Sequence, residues 1–199
     1  LNESFSKNFT EITVINRLFK IISTVDNNCF ISNSLNSRIC NSFVNSETFK
    51  GSFLNRGASG IDGNIASAIG CAKGNKKDVL AIVGDLTLLY DMNALALAKH
   101  VEHHIQICVI NNQGGAIVKA LKQVKDPRVL DKYFKTTHTF SFSGLAKQFD
   151  FEYFCIDERE TMEDRLTGFV SNQTHSLCEV KINEAETFAH IKELTINFL

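Results

Sequence analysis

A three-layer α/β sandwich, with a mostly parallel sheet of about six strands and helices on both faces, is the fold this sequence predicts. Two runs of branched apolar residues, Val79–Val83 and Ile105–Ile110, have the length and composition of strands buried on both faces. Between them Leu88–His100 alternates apolar and polar residues at helical spacing. The unit is therefore strand–helix–strand, and a right-handed crossover sets its strands parallel in one sheet. Short apolar runs and amphipathic stretches alternate through the rest of the chain, with no internal repeat and no low-complexity linker. That pattern predicts a single domain over residues 1–199.

The elements follow in order. Phe9–Val25 carries Ile12, Ile15, Leu18, Phe19 and Ile22 on one helical stripe. Cys29–Ser32 reads as a short strand, after which Asn33 or Ser34 is placed to cap a helix running to about Val44. Ser52–Leu54 is a second short strand. The turn Arg56–Gly63, with three glycines, leads into a helix over Asn64–Lys73, and Gly74-Asn75 would end it in left-handed conformation. The stretch from Gly115 to Lys135 has mixed character and reads as an excursion over the active site. Phe142–Phe149 is helical, Tyr153–Ile156 a strand, Thr161–Val170 helical, His175–Ile182 a strand and Glu184–Leu194 a closing helix.

Hydrophobic residues make up 44% and charged residues 22% of the 199-residue chain, the balance of an ordinary packed domain with a substantial core. A formal net charge of −1 provides no field for nucleic acid or an acidic membrane. No apolar run approaches the ~20 residues that span a bilayer. The polar start LNESFSKNFTE lacks the basic-then-apolar order of a signal peptide. Cys29, Cys40, Cys71, Cys108, Cys155 and Cys178 stand singly, several inside strand runs, and read as small core residues in a reducing compartment. A cytoplasmic protein is expected.

Gly84-Asp85 falls at the carboxyl end of the first long strand and Asn111-Asn112 at the carboxyl end of the second. In an open α/β sheet that edge is where ligands bind. One carboxylate, one amide and the flexible pair Gly114-Gly115, which frees a main-chain carbonyl, supply hard oxygen donors. Mg²⁺ favours such donors in an octahedron completed by phosphate oxygens. An isolated Asp would as readily cap the following helix, and an Asn pair as readily form a turn.

Asp85 and Asn112 stand 27 residues apart. Together with Gly84, this pairing resembles the cofactor signature of thiamine-diphosphate enzymes. The usual third residue of the opening triplet is Gly, and here it is Leu86. That departure, with Tyr90-Asp91-Met92-Asn93-Ala94-Leu95 behind it and Asn55-Arg56-Gly57-Ala58-Ser59-Gly60-Ile61-Asp62-Gly63 upstream, resembles one branch. The branch is the 2-succinyl-5-enolpyruvyl-6-hydroxy-3-cyclohexene-1-carboxylate (SEPHCHC) synthases of menaquinone biosynthesis. The resemblance implies thiamine diphosphate with Mg²⁺ or Mn²⁺, the metal held by Asp85, Asn112 and the Gly114 carbonyl. It assigns Gly60, Ile61, Gly84, Leu86, Gly115 and Ile117 to the cofactor as well, Ile61 wedging it into its bent form. An ordinary core isoleucine is the competing reading of Ile61. Ile117 and Val118 would line the pocket beside the reacting carbon, where relatives often carry Phe in place of Val118.

The implied substrates, 2-oxoglutarate and isochorismate, each carry two carboxylates. Arg38, Arg56 and Ser34 match the residues that contact them, and guanidinium forks hold carboxylates in a fixed plane. Ser34 and Arg38 lie one helical turn apart, on one face near a helix amino terminus. A lone arginine is otherwise a surface ion-pair partner. Glu47, Asp62 and Asp91 are plausible supporting groups. His100, His103 and His104 read as a solvated helix end rather than zinc ligands, and His138 as structural.

The resemblance is to the carboxyl-terminal, diphosphate-binding domain alone. It implies that the pyrimidine-binding and middle domains, and the activating glutamate, lie outside this chain, so no catalytic residue is assigned here. It further implies partnership with those remaining domains and a homo-oligomer, dimer or tetramer. Two rivals remain: another thiamine-diphosphate 2-oxo-acid decarboxylase or acetolactate-synthase-like enzyme, and a cofactor-binding fragment inactive on its own.

Overall fold

The computed structural model describes residues 8–45, 51–120 and 126–196. Six parallel strands form one sheet: β1 (Asn28–Ile31), β2 (Ser52–Phe53), β3 (Val79–Gly84), β4 (Ile105–Asn111), β5 (Glu152–Ile156) and β6 (Ser176–Lys181), in spatial order β2-β1-β3-β4-β6-β5. The two long apolar runs lie side by side at its centre, with Val79 beside Ile105 and Gly84 beside Ile110.

Alternation along the central strands divides the core in two, because successive side chains leave a strand on opposite faces. Leu80, Ile82, Cys108 and Ile110 pack with α1 (Glu11–Ile22), α2 (Leu35–Phe43), α7 (Met162–Val170) and α8 (Glu184–Ile196). Val79, Ala81, Val83, Ile105, Ile107 and Val109 pack against α3 (Asn64–Asn75), α4 (Asp85–Asp91), a 3₁₀ segment over Met92–His100, and α6 (Ser143–Gln148). Both faces are covered, which a parallel sheet requires. A second 3₁₀ turn (Ala116–Ala120) and α5 (Pro127–Tyr133) occupy the excursion after Gly115. No described helix is long and apolar enough to cross a membrane.

The local corrections are three. The pattern over Leu88–His100 is not one helix: α4 starts at Asp85, directly off the strand, and tightens to 3₁₀ at Met92. Helix α3 continues through Gly74 and Asn75, and the left-handed residue is Lys76, whose N–H reaches the Ala72 carbonyl. Ser34 occupies the cap position of α2 but makes no side-chain cap bond, with φ at 73°. The Asn33 amide turns instead toward the Gly60 carbonyl.

Candidate functional site

The carboxyl ends of β3 and β4 deliver Asp85 and Asn111-Asn112 to one edge of the sheet. Asp85 is 2% exposed. Its Oδ1 accepts the Leu86 N–H at 2.6 Å and its Oδ2 the Gly114 N–H at 2.9 Å. The His138 Nε2 lies 3.2 Å from the same Oδ2, off the direction of a good hydrogen bond. His138 Nδ1 accepts the Phe140 N–H, so in the neutral ring the proton sits on Nε2, facing the carboxylate. Burial pushes the Asp85 carboxyl above its ordinary range, while the Gly114 and Leu86 amides and His138 work against that shift.

The two asparagines divide their work. Asn111 closes a turn, its Oδ1 accepting the Gln113 N–H, and its amide donates to buried Glu179 at 2.7 Å and to the Phe140 carbonyl. Glu179 also accepts from Ser141, the Phe142 N–H and Tyr153, which pins the loop carrying His138. Burial and the Glu179 contact raise the Tyr153 hydroxyl. Asn112 donates its Nδ2 to Glu11 Oε1 at 2.8 Å. Its Oδ1 is buried with no partner.

Backbone geometry explains the glycines that follow them. Gln113 has φ at 63° and Gly114 at 140°, a region costly for any residue with a Cβ. A Cβ on Gly114 would stand 2.8 Å from the Lys135 carbonyl oxygen. The Gly115 N–H donates to that oxygen, and the Gly114 carbonyl accepts from Ala116 at 2.9 Å, leaving that oxygen a second lone pair. Lys135 and Lys119 both grip Glu184 at the start of α8. Burial alone would raise Glu184, but the two ammonium groups hold it below the usual range.

These residues surround a cavity of about 230 Å³. It gathers Ile61, Gly84, Asp85, Leu86, Asn112, Gly114, Gly115 and Ile117 from the expected cofactor set, and Ser34 and Val118 from the expected substrate set. Gly60 lies outside it, in a neighbouring cleft with Arg56 and Asp62, its carbonyl held by Asn33 and Asn64. Arg38 and Arg56 line a further cleft of about 760 Å³. Ser34 and Arg38 therefore line different cavities, and the backbone at Ser34 is not yet helical. Arg56 is tied back toward the first cavity through Asn33 Oδ1 at 3.0 Å.

Of the supporting candidates, Asp91 caps α3 by accepting the Ala66 N–H, and Glu47 lies outside the described residues. His103 and His104 face Asp78 at the opposite end of the sheet. Sequence reasoning missed Glu11. It follows the cap residue Thr10 and reads there as an ordinary acid favoured by the helix dipole; no spacing ties it to Asn112, 101 positions on. Burial above all, with Asp85 and Glu184 nearby, raises its carboxyl to about 7, against the lowering effect of the Asn112 amide.

The family profile described as thiamine pyrophosphate enzyme, C-terminal TPP binding domain, matches residues 36–180. The chain belongs to that family. Curated relatives of this thiamine pyrophosphate family include two named 2-succinyl-5-enolpyruvyl-6-hydroxy-3-cyclohexene-1-carboxylate synthase. One, from Histophilus somni, is 32% identical over 92% of the chain and 32% of its own length. The other, from Haemophilus influenzae, is 32% identical over 98% of the chain and 34% of its own length. The chain thus spans about a third of the curated relatives it matches. Benzoylformate decarboxylase from Polynucleobacter necessarius shares the fold, with a TM-score of 0.70 at 12% identity over 89% of this chain and 34% of its own.

The donor set fits the diphosphate–metal unit of this family. A buried amide oxygen without a partner, a buried carboxylate and a glycine carbonyl with a free lone pair line one cavity. All three are hard oxygen donors.

Proposed function

We propose that this chain is the diphosphate-binding part of a SEPHCHC synthase, which decarboxylates 2-oxoglutarate and adds the resulting four-carbon unit to isochorismate. The observation that carries the reading is the partnerless Asn112 Oδ1, buried in one cavity with Asp85 and Gly114. The names of the Histophilus and Haemophilus relatives support that reading.

Thiamine diphosphate, when bound, supplies the carbanion stabilisation that decarboxylation of a 2-oxo acid needs. Asp85, Asn112 and the Gly114 carbonyl hold Mg²⁺ or Mn²⁺ on the diphosphate. Ile61 presses apolar surface against the cofactor, while Leu86, Ile117 and Val118 exclude water from the wall of the pocket. Arg38 and Arg56 take substrate carboxylates in the neighbouring cleft, with Ser34 contributing a hydroxyl from the first cavity. The activating glutamate comes from a partner domain of the same enzyme, which works as a cytoplasmic homo-oligomer. The 199-residue piece alone turns over little or no substrate.

Calorimetric titration of thiamine diphosphate with Mg²⁺, with Asp85→Ala as control, tests the cofactor assignment. Binding lost in the control supports it, and binding kept in the control overturns it. In the complete enzyme, Arg38→Ala and Arg56→Ala should each raise the KM for 2-oxoglutarate or isochorismate at least tenfold, the scale of a lost charge-assisted pair. Unchanged kinetics in both would sink the substrate assignment.

A further inference from the structure

We propose that Glu11 is a positioning residue that fixes the amide of Asn112 with its oxygen toward the metal. The inference rests on the cofactor reading above and extends it to a residue outside the matched family region of 36–180.

An asparagine amide has two nearly isosteric ends, and only the oxygen can bind a cation. Something must therefore choose between them. Here the choice falls to Glu11 Oε1, which accepts from Asn112 Nδ2 at 2.8 Å. A flipped amide would set Oδ1 against a carboxylate oxygen, acceptor against acceptor. With Nδ2 engaged, Oδ1 is the end left buried without a partner.

Glu11 is itself held rigidly. It is 1% exposed at the first position of α1. Its N–H donates to Thr187 Oγ1 on α8, and the preceding cap residue Thr10 is bonded to His190 Nδ1 at 2.9 Å. The carboxylate is thus set by the junction of two helices, not by a loop. A buried carboxylate that meets a single side-chain amide is costly in isolation. A divalent cation at Asn112 and Asp85 offsets that cost. Partners that orient metal-binding side chains are typically worth 10–100-fold in metal affinity.

The test is titration of Mn²⁺, in the presence of thiamine diphosphate, into the protein as its gene encodes it. Four forms are compared: wild type, Glu11→Met, Glu11→Gln and Asp85→Ala, with the melting temperature of each taken in the absence of both ligands. Met keeps the volume and removes the acceptor, whereas Gln keeps an amide oxygen that accepts from Asn112. The expected result is a 10–100-fold loss of Mn²⁺ affinity in Glu11→Met and a loss within about threefold in Glu11→Gln. The metal-free melting temperature of Glu11→Met should be no lower than that of wild type. Unchanged affinity in Glu11→Met, with binding abolished in Asp85→Ala, overturns the role of Glu11 and leaves the site reading intact. Equal losses in Met and Gln also overturn it, because charge and not amide orientation would then be at work. Binding retained in Asp85→Ala overturns the site reading, and this inference with it.

Discussion

The two ends of the sheet are built from the same residue types and differ in what those residues are left to do. At the amino end, both Asp78 oxygens are turned to His104, much as both Asp85 oxygens are turned to backbone N–H groups at the carboxyl end. One Asp78 oxygen accepts the His104 N–H at 2.8 Å, the other faces the His104 ring at 3.0 Å, and His103 stands close by. Buried Gln106 spends its amide on the carbonyls of Phe169, Val170 and Asn172, closing the end of α7. Among the described residues, the loose groups there include an amide donor on Asn28 and a hydroxyl on Ser176. At the carboxyl end the loose groups include a buried acceptor oxygen of Asn112, a residue that lines the cavity. Buried acceptors gathered in one place invite a cation, whereas matched donors and acceptors only hold elements together.

The sharpest way to break this comparison is to remove one aspartate at each end. Asp85→Ala should weaken binding of Mg²⁺ and thiamine diphosphate by at least 100-fold. Asp78→Ala should leave that binding within about threefold and lower stability by about 1–2 kcal/mol, the scale of two hydrogen bonds, read by urea unfolding. Equal binding losses would mean that the two ends are not functionally distinct.

Glycines extend the comparison at smaller scale. Gly114→Ala places a Cβ against the Lys135 carbonyl at a φ of 140°, and should cost about 1–3 kcal/mol as well as most cofactor affinity. Gly168 lies within α7 with open space where its Cβ would be. Gly168→Ala should therefore stabilise the protein by about 0.5–1 kcal/mol and leave cofactor affinity untouched. A harmless Gly114→Ala would show that the loop after β4 is free to rearrange.

The same contrast explains what could be read in the sequence. Strands β3 and β4 were legible because buried parallel strands need long branched apolar runs, and their carboxyl ends placed Asp85 and the Asn111-Asn112 pair at one edge of the sheet; only the family resemblance singled out Asn112. Gly114 and Gly115 were legible as flexible residues that free a carbonyl, while the φ of 140° at Gly114 was not. Glu11 and His138 were not, since each meets its partner only after α1 and the 138–142 loop have packed onto the sheet edge. The separation of Ser34 from Arg38 was hidden for a related reason. Helical spacing places them on one face, but the positive φ at the cap residue Ser34 takes it off the helical path. Nothing in the composition of Met92–His100 marks its tightening to 3₁₀.

The smallest effect belongs to the amino end and to pH. His175 stacks on Phe151 and accepts the Ile105 N–H through Nδ1, a contact that only the unprotonated nitrogen can make. Burial, and the neighbouring His104, lower its pKa below the ordinary 6.5. The unfolded chain therefore binds a proton near pH 6.5 that the folded chain refuses. The stability from His175 is full above that pH and is lost as pH falls through the lowered folded value. His190, lowered by burial, acts in the same direction. Glu11, raised to about 7, acts in the opposite direction, because the folded chain takes up that proton first. Between pH 7.5 and pH 5, without cofactor, His175→Asn should therefore lose less melting temperature than wild type does, while sparing cofactor binding at pH 7.5. A steeper fall in His175→Asn would mean that the ring is held protonated, in conflict with the Ile105 contact.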